Sequence, residues 1–301
     1  MRISTAQWYR QGVDSMLRNQ SNLSKTQLQL ASGQRLLSPA DDPSAATRAL
    51  ELDSMLATVD QYQRNADMAE SRLRREEDVL DGTGNILQRV RELAVRATNG
   101  TLSAGDRQAI AEEVRQHLDG LLALGNATDT NGEYIFGGYR TDTPPIADNG
   151  SGNYTYQGDQ GQRLLQIGSS RQVASNDPGD QVFMGIDDGA GGSSNTFAIL
   201  HDFVTDLEAN TPSGTTLTAL DNALDKVQAV RTRLGGRMNA IDNQRGINES
   251  FSLVMEQNRS DLKDLDYAEA VSRLQQQQLM LQASQQSFMK VEGLSLFNYL
   301  R

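Results

Sequence analysis

The sequence predicts a mainly α-helical protein with a small β-rich insert: an elongated helical bundle whose N- and C-terminal coiled-coil helices pair. Three observations lead there. Apolar residues recur at three- and four-residue spacing over both flanks of the 301-residue chain, the rhythm of a helix that buries one face. The stretch 131–214 loses that rhythm and holds 14 of the 26 glycines. Charge divides with texture: the same stretch sets 11 acidic residues against Arg140, Arg163 and Arg171, whereas residues 1–38 set Arg2, Arg10, Arg18, Lys25 and Arg35 against Asp14 alone.

Residues 4–37 read as the first helix. Ala6, Tyr9, Val13, Met16, Gln20, Leu23, Gln27 and Leu30 alternate spacings of three and four, the seam of a heptad. At the other end Tyr267, Val271, Leu274, Gln278, Leu281, Gln285 and Phe288 repeat the pattern, and seven of the twelve residues in 275–286 are Gln. Polar seam residues lower stability while specifying register. Helices so diluted are expected to order only when several pack together. A stripe at this spacing is more often ordinary core, but chain ends usually fray, so matching patterns at both ends point to an assembly interface. Its expected residues are Val13, Met16, Gln20, Leu23, Gln27 and Leu30 with Val271, Leu274, Gln278, Leu281, Gln285 and Phe288.

After the first helix the chain reads Ser38-Pro-Ala-Asp-Asp-Pro43. Pro39 is expected to break the helix, and Asp41, Asp42 and Pro43 to form a domain-junction cap, with Asp42 as N-cap and proline at the first helical position. An amphipathic pattern follows through Ala49, Leu52, Leu56, Val59, Ala66, Leu73 and Leu80, with an expected interruption at Gly82-Thr-Gly84, and resumes through Ile86, Val90, Leu93 and Ala97. A continuous helix over 43–98 would measure about 80 Å, against about 50 Å for the diameter of a compact globule of this length; hence the elongated bundle. Ser103 with Asp106 opens a further helix by a capping box, carrying Ile110, Val114, Leu118 and Leu121. From 214 onward Leu217, Leu220, Leu224, Val227, Leu234, Met238 and Ile241 restore the helical period.

The centre suggests strands at 133–136 and 181–184, and a hairpin of 154–157 with 162–167 around Gly158-Asp-Gln-Gly161. The expected domains are a terminal coiled coil (1–42 and 262–301), a core helical bundle (43–130 and 215–261) and a β-rich outer insert (131–214).

The chemistry-bearing residues are sparse. There is no Cys, so disulfides, thiolate metal sites and thiol catalysis are excluded. His117 and His201 are the only histidines, and neither an HExxH nor a GxSxG motif occurs. Gly189-Ala-Gly-Gly192 lacks the following Lys-Ser/Thr of a phosphate cradle, and Asp177, Asp180, Asp187 and Asp188 lack the spacing and closing Glu of an EF-hand. No enzyme activity, cofactor or metal is expected. A sequence pI near 4.7 argues against nucleic acid as partner, no stretch is apolar enough for a membrane span, and Met1–Arg10 lacks the apolar core of a signal peptide.

Several stretches resemble a known family. Ala31-Ser-Gly-Gln-Arg35 with Ser38–Pro43 is similar to the N-terminal signature of the bacterial flagellin superfamily, 87–100 resembles its core helix and terminating turn, and 266–274 with 279–283 its C-terminal signature. Within the superfamily, Met1–Thr5, 132–138, Thr141-Asp-Thr-Pro144, 156–161 running into 165–168, and 295–300 resemble the hook-associated branch more than the filament subunits. Pro43 also stands where filament flagellins more often carry Ala-Ala-Gly.

The resemblance implies a structural adaptor between the flagellar hook and the flagellin filament, polymerising as its terminal helices fold against neighbours. It implies other copies in a ring, flagellin, the first hook-associated protein, and an export chaperone at about 265–301 as partners. It also implies export through the flagellar type III apparatus without a cleaved signal peptide, and an extracellular position at the junction. A filament flagellin is the nearest alternative and an unrelated secreted coiled-coil protein a more distant one; the short insert without HExxH speaks against the protease that some relatives carry there.

Overall fold

The computed structural model describes residues 2–99 and 102–299, with side chains from 7 to 290 of these. Helix α1 (Arg2–Ser32) is followed by α2 (Pro43–Ala97) and α3 (Ala104–Gly125). The middle holds β1 (Ile146–Asp148), β2 (Tyr154–Tyr156), β3 (Leu164–Gln166), β4 (Gln172–Ala174), α4 (Gly179–Phe183), β5 (Ile186–Asp187), β6 (Ser193–Ser194) and α5 (Thr196–Glu208). The chain closes with α6 (Thr215–Lys263) and α7 (Tyr267–Tyr299). It divides into two compact units, residues up to Thr58 with those from Ser250, and Val59–Glu249; α2 and α6 contribute to both.

The unit Val59–Glu249 is built on one apolar core. Leu73, Leu80, Leu87 and Leu93 of α2, Val114 and Leu121 of α3, Phe197, Leu200 and Phe203 of α5, and Leu220, Val227 and Leu234 of α6 are all buried in it. Their three- and four-residue spacing keeps each helix's apolar stripe on one side. The predicted interruption of α2 at Gly82-Thr-Gly84 is absent, and the helix runs through. A Cβ at Gly82 would lie 3.3 Å from the Leu124 side chain, so the glycine admits α3 closely instead of ending α2. Tertiary packing there outweighs the ~1 kcal/mol by which glycine disfavours a helix. Thr83, fully buried, donates its hydroxyl to the Val79 carbonyl at 2.9 Å.

In the other unit α1 ends at Ser32, before the Pro39 expected to break it. Gly33 adopts φ +70° and its amide returns to the Gln29 carbonyl at 2.9 Å, a left-handed C-cap that glycine takes without strain.

The central stretch differs most from expectation. The two halves of the predicted hairpin belong to different hairpins: Tyr154 pairs with Asp148 and Tyr156 with Ile146, while Leu164 pairs with Ala174 and Gln166 with Gln172. The first is closed by a turn with positive φ at Gly150, Ser151 and Gly152. Gly158–Gly161 is not a hairpin turn because the Asp159 carboxylate accepts from the amides of Tyr139 (2.9 Å) and Gly161 (2.7 Å) and holds the loop there. Residues 133–136 form no strand, contributing one bridge between Thr128 and Tyr134. Phe136 is instead buried edge-on against Phe183, ring centroids 5.2 Å apart. Residues 181–184, expected as a strand, lie mostly in helix α4. Helix α5 falls inside the stretch read as β-rich, started by Asn195, whose side chain accepts from the Ala198 amide at 2.8 Å.

The helical core makes a direct prediction. Leu80→Ala, at a fully buried position, is expected to cost about 2–5 kcal/mol, whereas Met68→Ala, half exposed on the same helix, is expected to stay within about 0.5 kcal/mol. Urea unfolding followed by circular dichroism checks both.

Candidate assembly surface of the terminal helices

Helices α1 and α7 pair antiparallel. Asn19 donates to the Ser284 hydroxyl at 3.1 Å, the rings of Tyr9 and Phe288 lie 5.1 Å apart, and a Cβ at Gly12 would be 3.2 Å from the Phe288 ring. The covered stripe of α1 includes Val13, Met16, Asn19, Leu23, Thr26 and Leu30; that of α7 runs Ala270, Leu274, Gln277, Leu281, Ser284 and Phe288. Of the seam residues named from sequence, Val13, Met16, Leu23, Leu30, Leu274, Leu281 and Phe288 are therefore at least partly covered. Gln20, Gln27, Val271, Gln278 and Gln285 are exposed. In each helix one half of the seam sits one residue earlier than the pattern of large side chains suggests. Gly12, Asn19, Thr26 and Gly33 recur every seven residues, as do Ala270, Gln277 and Ser284. Those small and polar residues escape an apolar pattern search; a search for short side chains at heptad spacing would find most of them.

A knot of hydrogen bonds closes the pair where α1 ends and α7 begins. The Arg35 amide donates to the Lys263 carbonyl (2.8 Å), the Leu265 amide to the Gly33 carbonyl (3.0 Å), and the Arg35 guanidinium to the Leu262 carbonyl (2.6 Å). Buried Gln29 donates to the Arg35 carbonyl at 2.6 Å. A side chain at Gly33 would meet the Tyr267 hydroxyl at 2.8 Å as well as adopting a left-handed φ, so glycine is required there. Asp266 starts α7 by accepting from the amides of Ala268 (2.9 Å) and Glu269 (3.1 Å).

The α1–α2 connection is held by carboxylates. Asp41 accepts from Lys25 Nζ (2.5 Å) and from the amides of Leu37 and Ser38 (3.1 Å each); the Lys25 hydrogen bond is the largest influence holding its carboxyl below the ordinary value. Asp42 Oδ1 accepts from the Ala45 amide at 3.0 Å, and Pro43 is the first residue of α2. Within the same unit Asp53 binds Lys263 Nζ at 2.7 Å and the Arg259 guanidinium at 3.3 Å, and the Lys263 hydrogen bond lowers its pKa most.

The pairing leaves several large apolar side chains uncovered among the polar ones. Trp8, Tyr9, Leu17 and Leu28 on α1 and Leu279, Met280 and Met289 on α7 are exposed. An open groove of about 950 Å³ runs along the two helices, bordered by Trp8, Tyr9, Met280 and Phe288. Among the described residues no three His, Cys, Asp or Glu side chains converge to hold a metal. Asp187 and Asp188 serve their own loop: Asp187 accepts from the Gly189 amide (2.8 Å), and Asp188 from those of Ala190 (2.8 Å) and Gly192 (2.9 Å).

Two predictions arise here. Arg35→Ala removes a charged donor, an interaction class worth about 1.5–3 kcal/mol, and is expected to speed hydrogen exchange at the Leu265 amide while leaving the Val59–Glu249 core protected. Asp53 has a folded-state pKa below its ordinary 3.8, so its contribution is intact above that value and lost as pH falls through the folded pKa. Acid unfolding of the terminal unit is expected to be less steep in Asp53→Asn, as monitored by circular dichroism below about pH 4.

The comparisons with known proteins agree with this architecture. The bacterial flagellin N-terminal helical region matches residues 3–141, and the bacterial flagellin C-terminal helical region matches 217–300. The flagellar hook-associated protein 3 of Escherichia coli (strain K12) is 33% identical over 316 residues, covering 99% of each chain. A flagellar hook-associated protein of known structure from Vibrio parahaemolyticus, 26% identical, superposes with a TM-score of 0.67 over 74% of this chain and 100% of its own. The phase 1 flagellin of Salmonella naestved is 37% identical, but only over 40% of this chain and 24% of its own. Similarity that runs the full length of both sequences, and not through the shared ends alone, places the chain: it belongs to the flagellar hook-associated protein 3 family, within the flagellins.

Proposed function

We propose that the chain is a structural adaptor of the bacterial flagellum that joins the hook to the flagellin filament. The observation that carries this reading is the full-length similarity to a hook-associated protein, set against a partial one to flagellin. The paired terminal helices would supply the polymerising surface. Covering one Leu, Met or Phe side chain is worth about 1.5–3 kcal/mol, whereas ordering a residue's backbone costs about 1–2 kcal/mol. A helix pair with a thin inner seam and Trp8, Leu17, Leu28, Leu279 and Met280 still exposed gains most when neighbouring subunits cover those residues. Folding and incorporation are then coupled, and growth is confined to a receptive end.

In this reading the partners are other copies of the chain in a ring, the first hook-associated protein on the hook side and flagellin on the filament side. Residues 265–301 would meet the export chaperone before assembly. Export would proceed through the flagellar type III apparatus without a cleaved signal peptide, delivering the chain to the extracellular junction. Asp41, Asp42 and Pro43 would fix the exit of α2 from the terminal coiled coil, and the insert at 131–214 would face outward. The role is mechanical and requires no cofactor.

Charges on the exposed faces test this. Leu17→Asp and Leu279→Asp each alter a residue more than half exposed in the monomer, so the purified protein is expected to keep its circular dichroism and urea midpoint. Burying an unpaired carboxylate between subunits is strongly unfavourable, so complementation of a strain lacking the protein is expected to leave cells without filaments. Normal swimming filaments from both variants would contradict the proposal.

A further inference from the structure

The unit Val59–Glu249 contains a buried acid that its packing does not account for. Glu76, on α2, is fully buried; neither of its carboxyl oxygens makes a well-formed hydrogen bond among the described residues, and the Asp177 amide and carboxyl are the polar groups that approach it. Facing it are Asp177, from the segment that follows β4, and Arg237, from α6. Asp177 is itself buried; it pairs with the Arg237 guanidinium and accepts from the Gln162 side chain at 2.9 Å. Arg237 also donates to the Ala174 carbonyl at 3.2 Å. The charged neighbours of Glu76 along α2 are engaged elsewhere: Arg72 with Glu133, Arg75 with the Thr128 carbonyl, and Glu77 with Arg231. Two carboxyl groups therefore share one cation inside the protein, and Glu76 has no well-formed hydrogen bond of its own.

An ionised carboxylate without a partner is among the costliest groups to bury, whereas a protonated one brings its own donor. A proton on Glu76 supplies a hydrogen bond to the neighbouring Asp177 carboxyl, which Arg237 positions by pairing with it. Ser175, Asn176, Asp177 and Pro178 are all buried beside these helices, so the hydrogen bond ties that segment to α2 and α6 together. We propose that Glu76, Asp177 and Arg237 form a proton-dependent latch that docks segment 174–178 onto α2 and α6, closed while Glu76 is protonated and released when it ionises.

The electrostatics agree: burial first, then the Asp177 charge, push the Glu76 pKa well above its ordinary value. The sign follows from linkage. The docked segment keeps the proton that the open one gives up, so docking is favoured at low pH. The opening constant rises about tenfold per pH unit between the open-state pKa, about 4.3 for an unperturbed Glu, and the raised docked-state pKa, and levels off above the latter.

Hydrogen exchange of the full-length protein, read by mass spectrometry and normalised to intrinsic rates, tests the latch. From about pH 5 to pH 9, protection of residues 172–178 in the wild type is expected to fall about tenfold per pH unit over part of the range, while α2 and α3 around Leu87 and Val114 stay protected. Glu76→Gln, which keeps a donor at every pH, is expected to hold the segment docked without that dependence. Protection that is flat with pH in the wild type, or falls equally in Glu76→Gln, would overturn the proposal. Should Glu76→Gln fail to fold, infrared spectroscopy of the wild type decides: a protonated-carboxyl stretch persisting at neutral pH supports the latch, and its absence refutes it.

Discussion

The terminal unit depends on the closure between residues 33–35 and 262–265. Two backbone hydrogen bonds and the Arg35 guanidinium on the Leu262 carbonyl, 227 residues away in sequence, join the two segments, and Gln29 on the Arg35 carbonyl braces the first of them. Closing so long a loop is entropically costly, but the cost grows only with the logarithm of loop length. Most of the intervening chain lies in Val59–Glu249, a compact unit with its own core, which shortens the stretch that remains to be closed. Once Gly33 meets Tyr267, the antiparallel register of α1 on α7 is set, and Asn19 reaches Ser284 and Gly12 reaches Phe288 as consequences.

The two units differ in how completely they bury what they carry. Val59–Glu249 encloses long rows of Leu, Val, Ile and Phe from four helices. The terminal pair covers a narrow stripe that includes Asn19, Thr26, Gln277 and Ser284, while Trp8, Leu17, Leu28, Leu279 and Met280 remain outside. Short polar side chains at the seam let the helices approach and specify register without adding much stability. A helix pair built this way suits a subunit that must polymerise only against the correct neighbour. The carboxylate contacts at its base, Asp41 with Lys25 and Asp53 with Lys263, orient the connecting segments where apolar burial is thin.

Much of this was legible in the sequence. The long helices of the flanks and the capping box at Ser103 and Asp106 follow from periodicity and end signals that act locally, and both oxygens of that box make their bonds in the structure. Other features were set by contacts that the local pattern does not carry. Gly82 carries the local signal of a break, whereas its missing side chain makes room for Leu124. Gly158–Gly161 has the residues of a hairpin turn, but Asp159 holds it as a pinned loop through the Tyr139 and Gly161 amides. Within the α1–α7 pair Asn19, Thr26 and Gln277 face inward and Gln20, Gln27 and Gln278 outward, a choice that apolar spacing does not make because neither alternative is apolar. The carboxyl pair Glu76 and Asp177, 101 positions apart, carries no signal in sequence at all.

The central claim, a place between hook and filament, is tested most directly by immunogold electron microscopy of flagellated cells with antibody against residues 140–190. A narrow band of label at the hook–filament boundary is the result this account predicts. Label along the whole filament, or away from flagella altogether, would contradict it.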